Sequence, residues 1–468
     1  MLRQLRIQNF KGWKDTGLIR MAPISLFFGA NSSGKSSIGQ LLMMLKQTVE
    51  SPDRKAIFFP GGKNSPVQLG SYQEMVFRRK LENKIAFEYM WSLPERLKIK
   101  DPVSGSSFTG NSLFFEAKVG VRGKDRHALL LEKLEYRLME QERTTLSIGM
   151  THTTDIPKNE YKVYSDHYKL KGKVGRPWLG APVRFYGFPD EVVACHQNAD
   201  FVQTLNLLHE KLYRSISYLG PLRMKAERIY SWTGVEPESV GYAGEYTVSA
   251  MLAARNRKIS LGPKRPGKPF EEVIALKLKE MGLIKEFQVR PIAEQRQEYE
   301  VKIRTKGSND WVELPDVGFG ISQVLPVLVQ SFYAPAGSII FMEQPEIHLH
   351  PSAQSALADV MIDVINSREN GENRNIQIVI ETHSEHFLRR LQRRIAEDVL
   401  AENAVAAYFA DITKTPATLE PLQIDHFGNI QNWPEDFFGD EMSDITGHAA
   451  AAVKKRLRQT SLKRESSE

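Results

Sequence analysis

Ile24-Ser-Leu-Phe-Phe-Gly-Ala-Asn-Ser-Ser-Gly-Lys-Ser-Ser37 joins an apolar run to a helical pattern through Gly29-x-x-x-x-Gly34-Lys35-Ser36. A loop of this form wraps backbone N–H groups around phosphates at a helix N-terminus. It sets the lysine ammonium on the β/γ oxygens and offers the serine hydroxyl to Mg²⁺. Both flanks fit: Ile24, Leu26, Phe27 and Phe28 form a buried-strand run, and Ile38, Leu41, Leu42 and Leu45 share one helix face. The candidate phosphate-binding residues are Gly29, Ala30, Asn31, Ser32, Ser33, Gly34, Lys35, Ser36 and Ser37, the pattern known as Walker A.

At 468 residues the chain is long enough for about two or three domains. Apolar residues make up 41% and charged residues 25%, with a net charge of +7, so cores are expected and a polycation is excluded. The single cysteine, Cys195, rules out an intrachain disulfide and a cysteine-built zinc site, which suits a reducing cytosol. No apolar stretch is of bilayer length and Met-Leu-Arg-Gln-Leu-Arg is no signal peptide, so a soluble, cytoplasmic protein is expected.

Leu5 to Trp13 alternates like a strand, and residues 85–179 read as alternating strands broken by glycine and proline, an antiparallel lobe. Helical periodicity follows near 200–214, 246–254 and 270–281, and 287–303 reads as a hairpin. From Ser338 onward strands and helices alternate, implying parallel crossovers. The expected organisation is an α/β head from residues 1–84 and 305–425. Between them lies an inserted lobe, 85–304, β-rich then helical, and after them a small C-terminal domain with a basic tail, 426–468.

Ser338-Ile-Ile-Phe-Met-Glu-Gln-Pro-Glu346 is an apolar strand ending in acid. Ligands of parallel α/β sheets sit at the carboxyl ends of strands, which would bring Glu343 beside the phosphate loop to hold the Mg²⁺ water shell, the Walker B role. Ile376-Gln-Ile-Val-Ile-Glu-Thr-His-Ser384 is a second such strand, and His383 at its end can sense the γ-phosphate or the attacking water. Leu314-Pro-Asp-Val-Gly-Phe-Gly-Ile-Ser-Gln-Val-Leu325 places glycines before a helix, a second anion-binding helix start.

In this order the motifs resemble those of the ABC-type ATPases, within them the SMC, RecF and OLD-like branch, over residues 1–76 and 314–409. The resemblance implies ATP and Mg²⁺ as ligands and a homodimer or higher oligomer, each head's signature loop completing the other's site. It implies that Lys35 and Ser36 bind phosphate and Mg²⁺ and that Glu343 is the Walker B acid. Gly318, Phe319, Gly320, Ile321, Ser322 and Gln323 would form the trans signature, His383 the switch histidine, and Gln73 the glutamine linking Mg²⁺ to the adjoining lobe. Glu343-Gln-Pro-Glu-Ile-His-Leu-His-Pro351, Tyr218-Leu-Gly-Pro-Leu-Arg223 and Asn432-Trp-Pro-Glu-Asp-Phe-Phe438 are similar to stretches of bacterial predicted ATPases of the AAA-15/AAA-21 type. Those carry a C-terminal domain of unknown function and often sit in antiphage or mobile-element systems, where the ATPase partners a separate nuclease or toxin.

Two positions depart from the pattern. Gln344 stands where the family places a catalytic glutamate, and an amide cannot act as general base, a role worth about 10²–10⁴-fold. Hydrolysis is therefore expected to be slow unless Glu346 substitutes. Gly320 stands where the signature usually has serine. Two rival functions remain open: a non-hydrolysing, ATP-locked scaffold, favoured by Gln344, and a RecF-like DNA-binding ATPase. The latter is favoured by Arg223, Lys225, Arg228 and by Arg389, Arg390, Arg393, Arg394, clusters that contact nucleic-acid phosphates or simply form solvated faces. His348, His350, His383 and His386 could in principle hold a transition metal, but the ATPase roles already account for both loops. The aromatic knot at Trp433 to Phe438 is expected to dock on its own head.

Overall fold

The computed structural model describes residues 1–122, 125–153, 161–173, 180–294, 296–305, 307, 309–411, 414, 416–434, 437, 446 and 451–452. Of the four sheets among these residues, the two largest organise the fold, and they are built on opposite patterning rules.

The first is six-stranded, in the order Ile216–Leu219, Ile339–Glu343, Gln377–Glu381, Ile24–Gly29, Val405–Asp411, Thr418–Pro421. All neighbours are parallel except the last pair. Parallel strands are covered on both faces, so their sequences run apolar without a break, and every residue of Ile339–Glu343 and Gln377–Glu381 is buried. Alternate side chains feed two separate cores. Phe27, Ile339, Phe341 and Val379 face the helix Lys35–Glu50 and the lobe beyond it. Leu26, Ile340, Met342, Ile378 and Ile380 face the opposite layer, which includes the helices Phe319–Tyr333, Pro351–Asn366 and Glu385–Ala396.

The second sheet is eight-stranded and antiparallel, and it unites Leu2–Phe10 with the long strands Ile85–Lys100, Ser107–Arg122, Asp125–Glu140 and Arg143–His152. Its alternation is clean: Ile85, Phe87, Tyr89 and Trp91 are buried while their neighbours are partly exposed. The boundary drawn at residue 84/85 cuts through this sheet, because Leu5 to Gln8 pair with Tyr89 to Ala86. Likewise Ile216–Leu219, drawn inside the insertion, is a strand of the parallel sheet.

The lobe's buried face closes on the helix Phe201–Arg214 through His209, which is fully buried. Tyr89 and Tyr136 hydroxyls each lie 2.8 Å from one of its ring nitrogens. Because the Tyr136 hydroxyl donates to the Tyr186 carbonyl at 2.9 Å, it accepts from Nδ1–H and leaves Nε2 to accept from Tyr89. Burial holds the imidazole pKa well below its ordinary value, so the ring is neutral.

Of the aromatic knot, Trp433 and Phe437 dock on the head. The Phe437 ring lies 5.2 Å from Phe28 and 5.0 Å from Phe409, and Arg389 sits 4.8 Å over Trp433. Glu435, Asp436, Phe438 and the basic tail from Lys454 to Arg464 lie outside the described residues. No helix among the described residues is long and apolar enough to cross a membrane.

Candidate functional site

The apolar strand Ile24–Gly29 delivers a loop that turns on Gly29, Ser32 and Gly34, at φ of 140°, 63° and 89°. Gly34 has a second constraint, since a Cβ there would press on the Trp13 indole, whose Nε1 donates to the Gly34 carbonyl at 3.0 Å. Trp13 thus holds the loop from beneath, a support that the motif alone does not disclose. The helix that follows approaches the sheet at Gly39, where any side chain would collide with the Phe341 ring.

Lys35 is buried and folds back, donating to the Gly29 and Ala30 carbonyls at 2.9 and 2.8 Å. Burial lowers its pKa, an effect opposed by Glu381. A buried ammonium resting on two carbonyls is poised to exchange them for phosphate oxygens, which are stronger acceptors. Ala30, Asn31 and Ser32 are exposed at the mouth of the loop.

The carboxylates distribute differently from the expected pattern. Ser36 Oγ donates to Glu381 Oε1 at 2.9 Å, whereas Glu343 accepts from the Tyr218 hydroxyl at 2.8 Å. Glu343 and Glu381 end neighbouring parallel strands in register. Burial and the nearby Glu381 push the Glu343 pKa up to about 7, and burial raises Glu381 too. Glu346 is buried and accepts from the Thr382 hydroxyl at 2.7 Å and the His383 N–H at 3.0 Å through one oxygen. It therefore fastens the Thr382-His383 turn to the segment that follows the strand Ile339–Glu343. His383 itself is exposed, its pKa lowered by partial desolvation and by Lys35.

Gln344 has a left-handed backbone at φ 45°, and its N–H donates to the Glu381 carbonyl at 2.8 Å. Arg223 locks the same corner: its guanidinium donates to the Gln323, Glu343 and Gln344 carbonyls at 3.2, 3.2 and 3.3 Å. Burial lowers its pKa to about 10. One arginine thus ties the end of the strand Ile339–Glu343 to the helix Phe319–Tyr333, over a sequence distance no motif spans.

Gly318 caps that helix, and Phe319 at its first turn is 66% exposed. Ser322 Oγ donates back to the Phe319 carbonyl at 2.9 Å. Gly320 is tight rather than open, because a Cβ would stand 3.0 Å from the His348 carbonyl oxygen. Among the described residues no hydrogen bond joins 318–323 to 29–37, or Gln73 to Ser36, Glu343 or Glu381. Gln73 lies on the short helix Tyr72–Met75, whose Met75 carbonyl accepts from Lys11 at the end of the first strand.

Oxygen donors from Ser36, Glu343 and Glu381 suit Mg²⁺, which keeps several waters and takes one or two carboxylates together with substrate phosphates. The buried Oε2 of Glu381 has no hydrogen-bond partner, which suits an acceptor for such a ligand shell. No group of three or more His, Cys, Asp or Glu among the described residues could hold a metal ion. His350 instead caps the helix Pro351–Asn366 by accepting the Ser352 N–H.

The arginine clusters are largely occupied. Arg390 and Arg394 pair with Asp359, Arg393 with Glu397, Arg389 with Glu385, and Arg228 with Glu313 and Asp316.

Parts of the chain are similar to known proteins. Residues 268–388 match the model of an AAA ATPase domain (AAA_15), and residues 400–446 that of a protein of unknown function (DUF3696). The chain is 19% identical over 400 residues to an "ATP/GTP phosphatase" of Helicobacter pylori (strain ATCC 700392 / 26695), covering 85% of this chain and 89% of that protein. Among solved structures, an SMC head bound to the C-winged helix domain of ScpA gives a TM-score of 0.43 at 10% identity, covering 90% of this chain and 98% of the other. The SMC head domain from Thermotoga maritima gives 0.40 at 10% identity, covering 90% and 99%. The AAA ATPase match contains the Gly318–Gln323 loop, Glu343 and His383, and the phosphate loop lies N-terminal to it. The chain thus carries a phosphate-loop motif, a segment similar to an AAA ATPase domain and, after it, a segment similar to DUF3696.

Proposed function

We propose that the protein is a Mg²⁺-dependent ATPase whose heads pair face to face around ATP, closing slowly turning-over sites that switch a partner. The observation that carries this reading is the convergence of Lys35, Ser36, Glu381 and Glu343 at the mouth of one sheet, with the signature helix start left facing solvent. Lys35 and the loop N–H groups would bind the β and γ phosphates. Ser36 and the strand-end carboxylates would hold Mg²⁺, which would supply charge neutralisation for phosphoryl transfer. Gln344 would orient water without removing its proton, which favours slow hydrolysis.

An exposed apolar rim supports pairing. Leu222 is 84% exposed and Met224 50%, and both flank the buried Arg223 that fixes the signature helix. A surface of this kind is shielded when a second head covers it. From the family resemblance, the partner switched by closure would be a separately encoded nuclease or toxin in antiphage defence. The ion pairing of the arginine clusters weighs against the DNA-binding alternative.

Light scattering with and without Mg·ATP tests the reading. The parent should double in mass on adding ATP, and Lys35→Ala should stay monomeric. A parent whose mass is indifferent to ATP would refute paired heads.

A further inference from the structure

The hydroxyl that the phosphate loop offers to its cation is Ser36 Oγ, and here its partner is Glu381 rather than Glu343. Glu381 is only 5% exposed. Its Oε1 takes the Ser36 hydrogen bond, and its Oε2 has no partner although it is buried. A buried carboxylate oxygen without a donor is costly unless a cation or its water shell completes it. The backbone around it is fixed on both sides: the Glu381 carbonyl accepts from Gln344, and the Thr382 N–H donates to the Phe27 carbonyl at 3.1 Å. Glu343 meanwhile is engaged by Tyr218.

We propose that Glu381 is a positioning residue for the divalent cation of the nucleotide site, orienting the Ser36 oxygen through Oε1 and receiving a cation-bound water on Oε2. It shares with Glu343 the anchoring that the motif pattern gives to Glu343 alone. The proposal rests on the phosphate-loop reading above, and goes beyond it by assigning a carboxylate from the strand between Walker A and Walker B. Tyr218 then has a role too, holding Glu343 in register while Glu381 faces the serine.

Glu381→Gln is a discriminating substitution. The amide oxygen can still accept from Ser36, so a purely structural role survives, but the charge that attracts the cation is gone. Mn²⁺ serves as probe, titrated by electron paramagnetic resonance into the full chain with a non-hydrolysable β,γ-imido ATP analogue. Binding of that analogue is measured separately in EDTA. Glu381→Gln should weaken Mn²⁺ about 10- to 100-fold, as expected for a residue that orients a metal ligand, while analogue affinity in EDTA stays parental. Ser36→Ala should add little further loss in the double variant, since both act on one ligand. Glu381→Asp, which retains the charge with a shorter reach, should fall between parent and Gln, and it carries the test should the Gln variant fold poorly. Parental Mn²⁺ affinity in either variant overturns the role of Glu381. Undiminished analogue binding by Lys35→Ala in EDTA would instead overturn the phosphate-loop reading on which it rests.

Discussion

Around residues 29–37 the polar groups turn inward, with Lys35 on its own loop carbonyls, Ser36 on Glu381 and Trp13 beneath Gly34. At residues 318–323 the helix start presents Phe319 to solvent, and its first turn is closed locally, with the Ile321 N–H on the Gly318 carbonyl at 3.2 Å and Ser322 Oγ on the Phe319 carbonyl. The first region aims its polar groups at one another, and the second is anchored from behind by Arg223 on the Gln323 carbonyl while its outer edge at Gly318 and Phe319 is exposed. The contrast suggests a division of labour in which the first region binds nucleotide within one chain and the second acts on another chain. Predictions that break either side of this contrast should therefore have separable effects.

The largest effect is expected at Lys35. Two or more charge-assisted hydrogen bonds to phosphate, at about 1.5–3 kcal/mol each, predict that Lys35→Ala weakens ATP by at least ~100-fold in calorimetric titration. Next comes Gln344→Glu, which restores a carboxylate beside the attacking water and should raise steady-state phosphate release by roughly 100-fold, the low end for a general base. If Glu346 is the working base, Gln344→Glu does little and Glu346→Gln stops turnover. The latter substitution also touches the hydrogen bonds that hold Thr382 and His383, so the two residues must be compared side by side.

The exposed side of the contrast is tested at Phe319. Gly320→Asp is a poor probe, because any Cβ there presses on the His348 carbonyl within the same chain. Phe319→Asp disturbs nothing buried and should weaken ATP-dependent dimerisation about 10- to 100-fold, the value of burying one phenyl ring, while monomer nucleotide affinity is unchanged.

A smaller effect separates the nucleotide site from the β lobe by the sign of its pH dependence. Glu343 has its pKa raised from 4.5 to about 7, so its folded form binds more protons than its unfolded form. Its contribution to stability is full below 4.5 and is lost as pH rises through about 7. His209, lowered from 6.5, acts oppositely: its contribution is present above 6.5 and is lost as pH falls through the lower folded value. Nucleotide-free melting curves should therefore respond in opposite ways to Glu343→Gln and His209→Gln between these limits. The same change in slope from both would contradict the environments described.

Legibility from sequence followed the range of the interactions. The strands Ile24–Gly29, Ile339–Glu343 and Gln377–Glu381 were readable because two-sided burial writes an unbroken apolar run, and the lobe strands because one-sided burial writes an alternation. Partners remote in sequence were not readable. Nothing near Tyr218 or Arg223 announces Glu343 or Gln323, which lie 125 and 100 residues away. Glu381 does carry a signal, an acid ending an apolar strand as Glu343 does, but the adjoining Thr382-His383 masks it. The expected link through Gln73 is not formed by any hydrogen bond among the described residues, since short mixed segments carry no periodicity to place them. The pairing of Leu2–Phe10 with Ile85–Lys100 is illegible for a similar reason, because it depends on register across an intervening helix.

The central claim, that one chain's signature surface completes another chain's phosphate site, is tested most directly by mixing two inactive variants. Lys35→Ala retains the exposed surface and Phe319→Asp retains the phosphate loop, so a mixed pair contains one composite site with both halves intact. ATP hydrolysis should be negligible for each variant alone and recover to a substantial fraction of the parental rate when they are combined. A mixture that hydrolyses ATP no faster than the sum of the two variants would contradict the account.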